Sequence, residues 1–159
     1  ARMPKPIFKK NELNKIIKDS INLMKTNDKD IVINFNTEEV HYVNSDTEQL
    51  NRVFINLLKN SIESLKEKHQ KTGDFKKKID VEIQLINDYI SIVVQDNGTG
   101  FTNNDLKTLS KPYFTTKKEG SGLGLSIVEK ILNDHNGFIE FISQKEGAKI
   151  KILLPKYVN

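Results

Sequence analysis

A chain of 159 residues and 18.2 kDa, 36% hydrophobic and 29% charged, with mean hydropathy −0.51, can bury the core of one domain and lies outside the disordered class. It has no cysteine, which excludes disulfides, thiolate metal sites and a cysteine nucleophile and fits a reducing compartment. Its formal charge of +4 comes almost wholly from lysine, with Arg2 and Arg52 the only arginines, so it offers little of the bidentate chemistry by which specific nucleic-acid readers work.

No apolar run approaches the roughly 18–20 residues of a membrane span, and no secretory leader is visible. Pro4 and Pro6 hold residues 1–8 extended, as a linker or lead-in strand. With Asn11 as N-cap, Leu13, Ile16, Ile17, Ile21, Leu23 and Met24 predict an amphipathic helix over 12–25. Strands are expected at 31–36 and 40–43. Ser45 and Glu48 have capping-box spacing before a long helix over 46–68. Leu50, Val53, Phe54, Leu57, Leu58, Ile62 and Leu65 form its apolar face. Gln49, Arg52, Asn56, Asn60 and Glu63 fall on the opposite stripe. Residues 66–78, rich in lysine, read as a solvated connection.

Val81, Ile83 and Leu85, a turn at Asn87-Asp88, then Ile90, Ile92 and Val94 predict a hairpin. It runs into Asp96-Asn97-Gly98-Thr99-Gly100. A polar stretch over 101–121 carries a short helix at 105–109. A helix over 123–136 stops at Asn136-Gly137, and strands at 138–143 and 148–154 end the chain. This order, without βαβα alternation, predicts an α+β fold with helices on one face of a largely antiparallel sheet.

Three features carry chemistry. Asp96 at a strand end, with Gly98 and Gly100 behind it, could accept a hydrogen bond from an exocyclic amine while bare backbone approaches a flat ligand; the same pattern also makes ordinary turns. Gly120-Ser121-Gly122-Leu123-Gly124 opens a helix and could cradle phosphate on its N–H groups; it matches neither the P-loop nor the dinucleotide fingerprint. Asn56 and Asn60, one turn apart, offer hard neutral oxygens suited to Mg²⁺, although surface asparagine is unremarkable in a chain with 17 of them.

Together and in this order they supply a base pocket, a metal ligand and a phosphate cradle. Residues 56–61 (Asn-Leu-Leu-Lys-Asn-Ser) resemble the N box of histidine-kinase catalytic domains, and 96–100 resemble the G1 box. Residues 111–117 (Lys-Pro-Tyr-Phe-Thr-Thr-Lys) resemble the F box, 120–125 the G2 box and Gly147-Ala148 the final glycine box. The resemblance spans about 40–155. It is to the catalytic and ATP-binding (HATPase_c) domain of two-component sensor histidine kinases, most like the nitrogen-regulation branch. Ser110 and Tyr113 depart from the commonest F-box form, which bears on how a lid packs.

The resemblance implies the Bergerat fold: a two-layer α/β sandwich, a mixed and mainly antiparallel sheet packed on three helices, with a mobile ATP lid. It implies ATP and Mg²⁺ as cofactors. Asp96 would bind the adenine amino group, and Gly98 and Gly100 would shape its pocket. Asn60 would ligate Mg²⁺, with Asn56 on the same face. Thr115, Thr116 and Lys117 would stand in the lid. Gly120, Ser121, Gly122, Leu123 and Gly124 would line the phosphates. Lys117 and Asn56 would serve the transfer itself.

Related hydrolases such as gyrase and MutL relatives, and anti-sigma kinases, resemble one another in a Glu four residues before the metal-binding Asn. Here that position is Asn56, whose amide cannot take a proton, so the acceptor must already be nucleophilic, as a neutral imidazole is. His41, His69 and His135 open no phosphoacceptor motif and read as structural, His135 at a helix C-terminus where a cation is favourable.

The expectation is therefore a catalytic domain over 11–159 preceded by a linker over 1–10. It would transfer the γ-phosphate of ATP to a histidine on a separate dimerisation domain, and a response regulator would follow indirectly. Alone, the domain would be monomeric, without a nucleic-acid partner, and cytoplasmic, compatible with inner-membrane anchoring of a parent kinase. Two other classes remain at this level: a nucleotide-binding, pseudokinase-like module without transfer, and a basic module using the lysine tract on nucleic acid, which would show strong salt dependence.

Overall fold

Alternating side chains in two neighbouring strands commit them to one buried face, and the hairpin at the centre of the sheet follows that rule. The computed structural model describes residues 3–25, 28–100 and 122–159. Its elements are β1 (Lys9–Glu12), α1 (Leu13–Met24), β2 (Val32–Asn36), β3 (Tyr42–Ser45), α2 (Thr47–Thr72), β4 (Lys78–Ile86) and β5 (Tyr89–Asp96). After these come α3 (Gly122–Asp134), β6 (Phe138–Ser143) and β7 (Ala148–Pro155). The short helix expected at 105–109 lies outside the described residues.

Five strands form one sheet in the order β2-β4-β5-β7-β6. The β2–β4 pair is parallel and the other three pairs are antiparallel. A separate antiparallel ladder joins β1 to β3. Ile79, Ile90, Ile92, Val94, Ile152 and Leu154 face a core shared with Leu13 and Ile17 of α1, Leu50, Phe54, Leu57 and Leu65 of α2, and Val128 and Ile131 of α3. Each such burial contributes about 1.5–3 kcal/mol against the cost of ordering the chain. Three helices on a mixed, mostly antiparallel sheet is the α+β architecture expected. The apolar face of α2 is as read, except that Ile62 is only partly buried.

Local boundaries shift for identifiable reasons. Asn11 is not the N-cap of α1. It lies in β1, where its amide donates to the Ser45 carbonyl at 2.8 Å, while Glu12 occupies the cap without a side-chain bond and Leu13 N–H donates to the His41 carbonyl at 2.8 Å. Ser45 does not cap α2, because pairing with Lys9 holds it in β3. Asp46 caps instead, accepting from Gln49 N–H at 3.0 Å. The helix then runs past 68 to Thr72 and stops at Gly73, φ 85°. Asn136 turns α3 off with φ 57°, and Gly137 N–H closes on the Leu132 carbonyl at 2.7 Å.

Candidate nucleotide site

Asp96 ends β5 on the core side of the sheet, opposite Ile79, and is only 4% exposed. A carboxylate buried this far needs donors. Its Oδ1 accepts from Gly98 N–H at 2.8 Å and from Ala148 N–H at 3.3 Å. The first bond folds the loop back on its own start. The second ties that start to the first residue of β7.

The two glycines of the loop make their close approaches to the protein itself. A Cβ on Gly98 would meet the Ser64 backbone carbon at 2.7 Å and its oxygen at 2.8 Å. A Cβ on Gly100, φ 78°, would meet the Gly147 carbonyl oxygen at 2.5 Å, and one on Gly147, also φ 78°, would collide with the Asp96 carbonyl. Thr99 N–H donates to Ser64 Oγ at 3.0 Å. The loop is thus gripped between α2 on one side and the turn before β7 on the other.

Asn56 and Asn60 lie half-buried on α2. Asn60 is one turn before Ser64, so the helix that holds the Asp96 loop also carries both asparagines. The stripe is not uniformly solvent-facing: Gln49 is 5% exposed and donates to the Pro4 carbonyl at 3.0 Å. Gly122, Leu123 and Gly124 form the first turn of α3, which packs against α2. Thr115, Thr116, Lys117, Gly120 and Ser121 lie outside the described residues. Among the described residues no cluster of three or more His, Asp or Glu could hold a metal ion. The amide oxygens of Asn56 and Asn60 could serve an ion that keeps waters and binds through phosphate.

Two residues of this site escape the motif reading: Ser64 and Lys68. Lys68 Nζ donates to the Asn97 carbonyl at 2.8 Å and to Glu146 Oε1 at 3.1 Å. The lysine tract is therefore not wholly solvated. A signal was present, since Asn56, Asn60, Ser64 and Lys68 recur every four residues along one helix.

The far ends of α2 and α3 meet at His135, which is 5% exposed. Its Nδ1 lies 2.7 Å from the Ile131 carbonyl, and its Nε2 accepts from Asp46 N–H at 3.1 Å. That pairing requires a neutral ring protonated on Nδ1. Burial lowers its pKa, against the pull of the Ile131 carbonyl, Asp46 and Asp134. The cation expected at this helix end is thus replaced by a neutral clamp. For Asp46, burial pushes the carboxyl up, but the N–H groups of Ile7, Gln49 and Glu48, with His135, outweigh it and hold it below its ordinary value. Glu129 of α3 is raised by burial. His41 is buried beside Asn14, whose Oδ1 accepts its N–H at 2.8 Å.

Residues 45–158 match the family described as Histidine kinase-, DNA gyrase B-, and HSP90-like ATPase. A protein of Rickettsia conorii described as an NtrY-like sensor histidine kinase is 37% identical over 155 residues, covering 96% of this chain and 25% of the relative. Sporulation kinase C of Bacillus subtilis is 35% identical over 153 residues, covering 93% of this chain and 34% of its own length. The chain thus spans a quarter to a third of these relatives. The solved catalytic domain of histidine kinase ThkA superposes with a TM-score of 0.78 at 27% identity, covering 94% of this chain and 96% of that one. ThkA is also solved in complex with a response regulator protein, TrrA, where the TM-score is 0.74 at 25% identity, over 96% of this chain and 42% of the other. Motif order, sheet topology and a family match across most of the chain agree: it belongs to the histidine kinase-, DNA gyrase B- and HSP90-like ATPase family, as an ATP-binding domain of the histidine-kinase kind.

Proposed function

We propose that this domain transfers the γ-phosphoryl group of ATP to a histidine on a separate dimerisation domain of the same kinase, for later passage to a response regulator. The observation that carries the reading is Asp96: a buried carboxylate, oriented by two backbone N–H groups, in a loop pinned to the helix that bears Asn60. In this reading Asp96 accepts the adenine amino group, Gly98 and Gly100 shape the pocket by letting the loop seat against α2 and against the turn before β7 respectively, and Asn60 ligates Mg²⁺ beside Asn56. Bound Mg²⁺ would supply charge neutralisation at the phosphates.

Helix geometry supports a cradle at Gly122–Gly124. The residue that follows α3 lies beside the N-cap of α2 through the His135–Asp46 bond. For helices packed side by side from that shared end, the 13 residues of α3 reach back about 20 Å. Asn60 lies about 21 Å along α2 from Asp46. The first turn of α3 would then come level with the metal ligand, where an N-terminal helix end favours phosphate. Gly120, Ser121, Thr115, Thr116 and Lys117 would complete the phosphate side. The domain contributes positioning and electrostatics to a transfer whose nucleophile comes from elsewhere.

We assign residues 11–159 to the domain and 1–10 to the end of a linker whose last residues already pair in β1. We further propose that the domain is monomeric alone, takes no nucleic-acid partner and works in the cytoplasm. No described helix is long and apolar enough to cross a membrane.

The decisive experiment is calorimetric titration of ADP and ATP, with and without Mg²⁺, against wild type, Asp96→Asn and Asn60→Ala. Asp96→Asn keeps an acceptor for Gly98 and Ala148 but weakens the charged bond to the base, so affinity falls about tenfold or more. Asn60→Ala abolishes the Mg²⁺ dependence. Adding a dimerisation domain that carries the acceptor histidine restores phosphotransfer. Unchanged affinity in Asp96→Asn would sink the site assignment. Binding without transfer would reduce the chain to a nucleotide-holding module.

A further inference from the structure

The four-residue polar row on α2 does not end at the asparagines. Ser64, the third member, takes Thr99 N–H and lies against Gly98. Lys68, the fourth, reaches both walls of the loop. Its ammonium donates to the Asn97 main-chain carbonyl at 2.8 Å and to Glu146 at 3.1 Å, and stands 4.6 Å from the centre of the Phe75 ring. Its side chain is 20% exposed against 69% for Glu146.

What it joins is specific. Asn97 directly follows Asp96, and its side chain is committed to the start of β4: Oδ1 accepts from Lys78 N–H at 2.9 Å, and Nδ2 donates to the Lys76 carbonyl at 2.7 Å. Glu146 precedes Gly147, which packs on the Asp96 carbonyl, and Ala148, whose N–H holds Asp96 Oδ1. One cation therefore bridges the residue after Asp96 and the turn that supports Asp96. The exposed ion pair contributes little by itself. The weight lies in the charge-assisted bond to a main-chain carbonyl in a part-buried place.

We propose that Lys68 is a positioning residue for the adenine end of the nucleotide: by fastening the Asp96–Gly100 loop to the 146–148 turn, it fixes the direction in which the Asp96 carboxylate presents. The proposal rests on the reading of Asp96 as the adenine acceptor. It predicts an effect on every adenine nucleotide alike, because the phosphate side is held by other elements.

The test compares wild type, Lys68→Met and Lys68→Arg for ATP and ADP affinity by calorimetry, with hydrogen exchange at the Gly98, Thr99 and Gly100 amides. Lys68→Met keeps an unbranched apolar stem over Phe75 and loses only the donor. It should weaken ATP and ADP together by about tenfold, the usual scale for a lost bond to a charged group, leaving their affinity ratio unchanged and speeding exchange at the three amides. Lys68→Arg, which restores a donor, should return affinity to within about threefold of wild type. Lys68→Met binding within twofold of wild type would overturn the proposal. So would a shift in the ATP-to-ADP ratio, or a loss that Lys68→Arg fails to recover. Failure of the wild-type chain to bind either nucleotide would overturn the site reading as well, whereas the other adverse outcomes strike Lys68 alone.

Discussion

One carbon decides how the Asp96 loop sits. Gly98 lies so close to Ser64 that a methyl group there meets main-chain atoms of a helix as well as the Ser64 hydroxyl, so a turn of that side chain alone would not make room. Gly98→Ala should therefore cost about 1–3 kcal/mol of stability, a drop of several degrees in thermal midpoint for a domain of this size. It should also weaken nucleotide binding, because the displaced loop carries Asp96. A scan of thermal melting alongside an ADP titration reads both effects; a full-strength binder with unchanged melting would contradict the packing. The motif shows that backbone must come close to something near Gly98 and Gly100, but not to what. Which partner approaches depends on Ser64 and Gly147, which are 34 and 49 residues away from Gly98 in sequence. The same distance hides Lys68, which sits in a lysine-rich stretch and differs from its neighbours only in what the fold brings to it.

Between elements, the His135–Asp46 junction joins the end of α3 to the start of α2, and Phe8 lies edge-on to the imidazole with ring centres 5.0 Å apart. Asp46 Oδ2 also takes Ile7 N–H at 2.8 Å, so the lead-in segment is fastened to the same point. Protonating His135 would set a new N–H on Nε2 against the N–H of Asp46. The folded-state pKa lies below the ordinary value of 6.5, so the unfolded chain takes up the proton first as pH falls. The junction's contribution is then complete above about pH 6.5 and is lost as pH drops below it, with a slope of at most about 1.4 kcal/mol per pH unit. Urea unfolding from pH 7.5 to 5 should show that slope in wild type and a shallower one in His135→Gln; parallel curves would remove His135 as the cause. Elements as such were legible, because periodicity in α2, β4, β5 and β7 reflects burial directly. Their ends were less so. Ser45 and Asp46 both offer a capping oxygen, and the choice falls to Asp46 because β1 claims Ser45. Nothing local in Lys9–Glu12 announces that claim.

At the scale of the whole molecule, the chemistry turns on what the site lacks. In the proposed site Asn56 would stand where a general base would activate water, and an amide cannot accept that proton. The isolated domain should hydrolyse ATP negligibly, and Asn56→Glu should raise hydrolysis, up to about a hundredfold if the carboxylate aligns a water. A coupled ADP-release assay measures this. Fast hydrolysis by wild type that Asn60→Ala abolishes would contradict the role given to Asn56. The family, the mixed sheet and the three-helix layer were legible because several motifs fall in order along one chain; the crossover that makes β2 parallel to β4 was not, since pairing direction leaves no mark in an alternating strand.

The order β2-β4-β5-β7-β6 puts the last strand of the chain inside the sheet, between β5 and β6. During synthesis the ribosome releases β5 and Asp96 long before Ala148 to Pro155. Until that segment emerges, β5 has an open edge, Asp96 lacks its bond from Ala148, and the Asn97 loop lacks the turn it leans on. A nascent chain therefore cannot assemble the pocket progressively from its N-terminal side. With the proposed site, nucleotide recognition would arise in one late step, when β7 inserts, and an unfinished chain would present an unpaired strand edge instead.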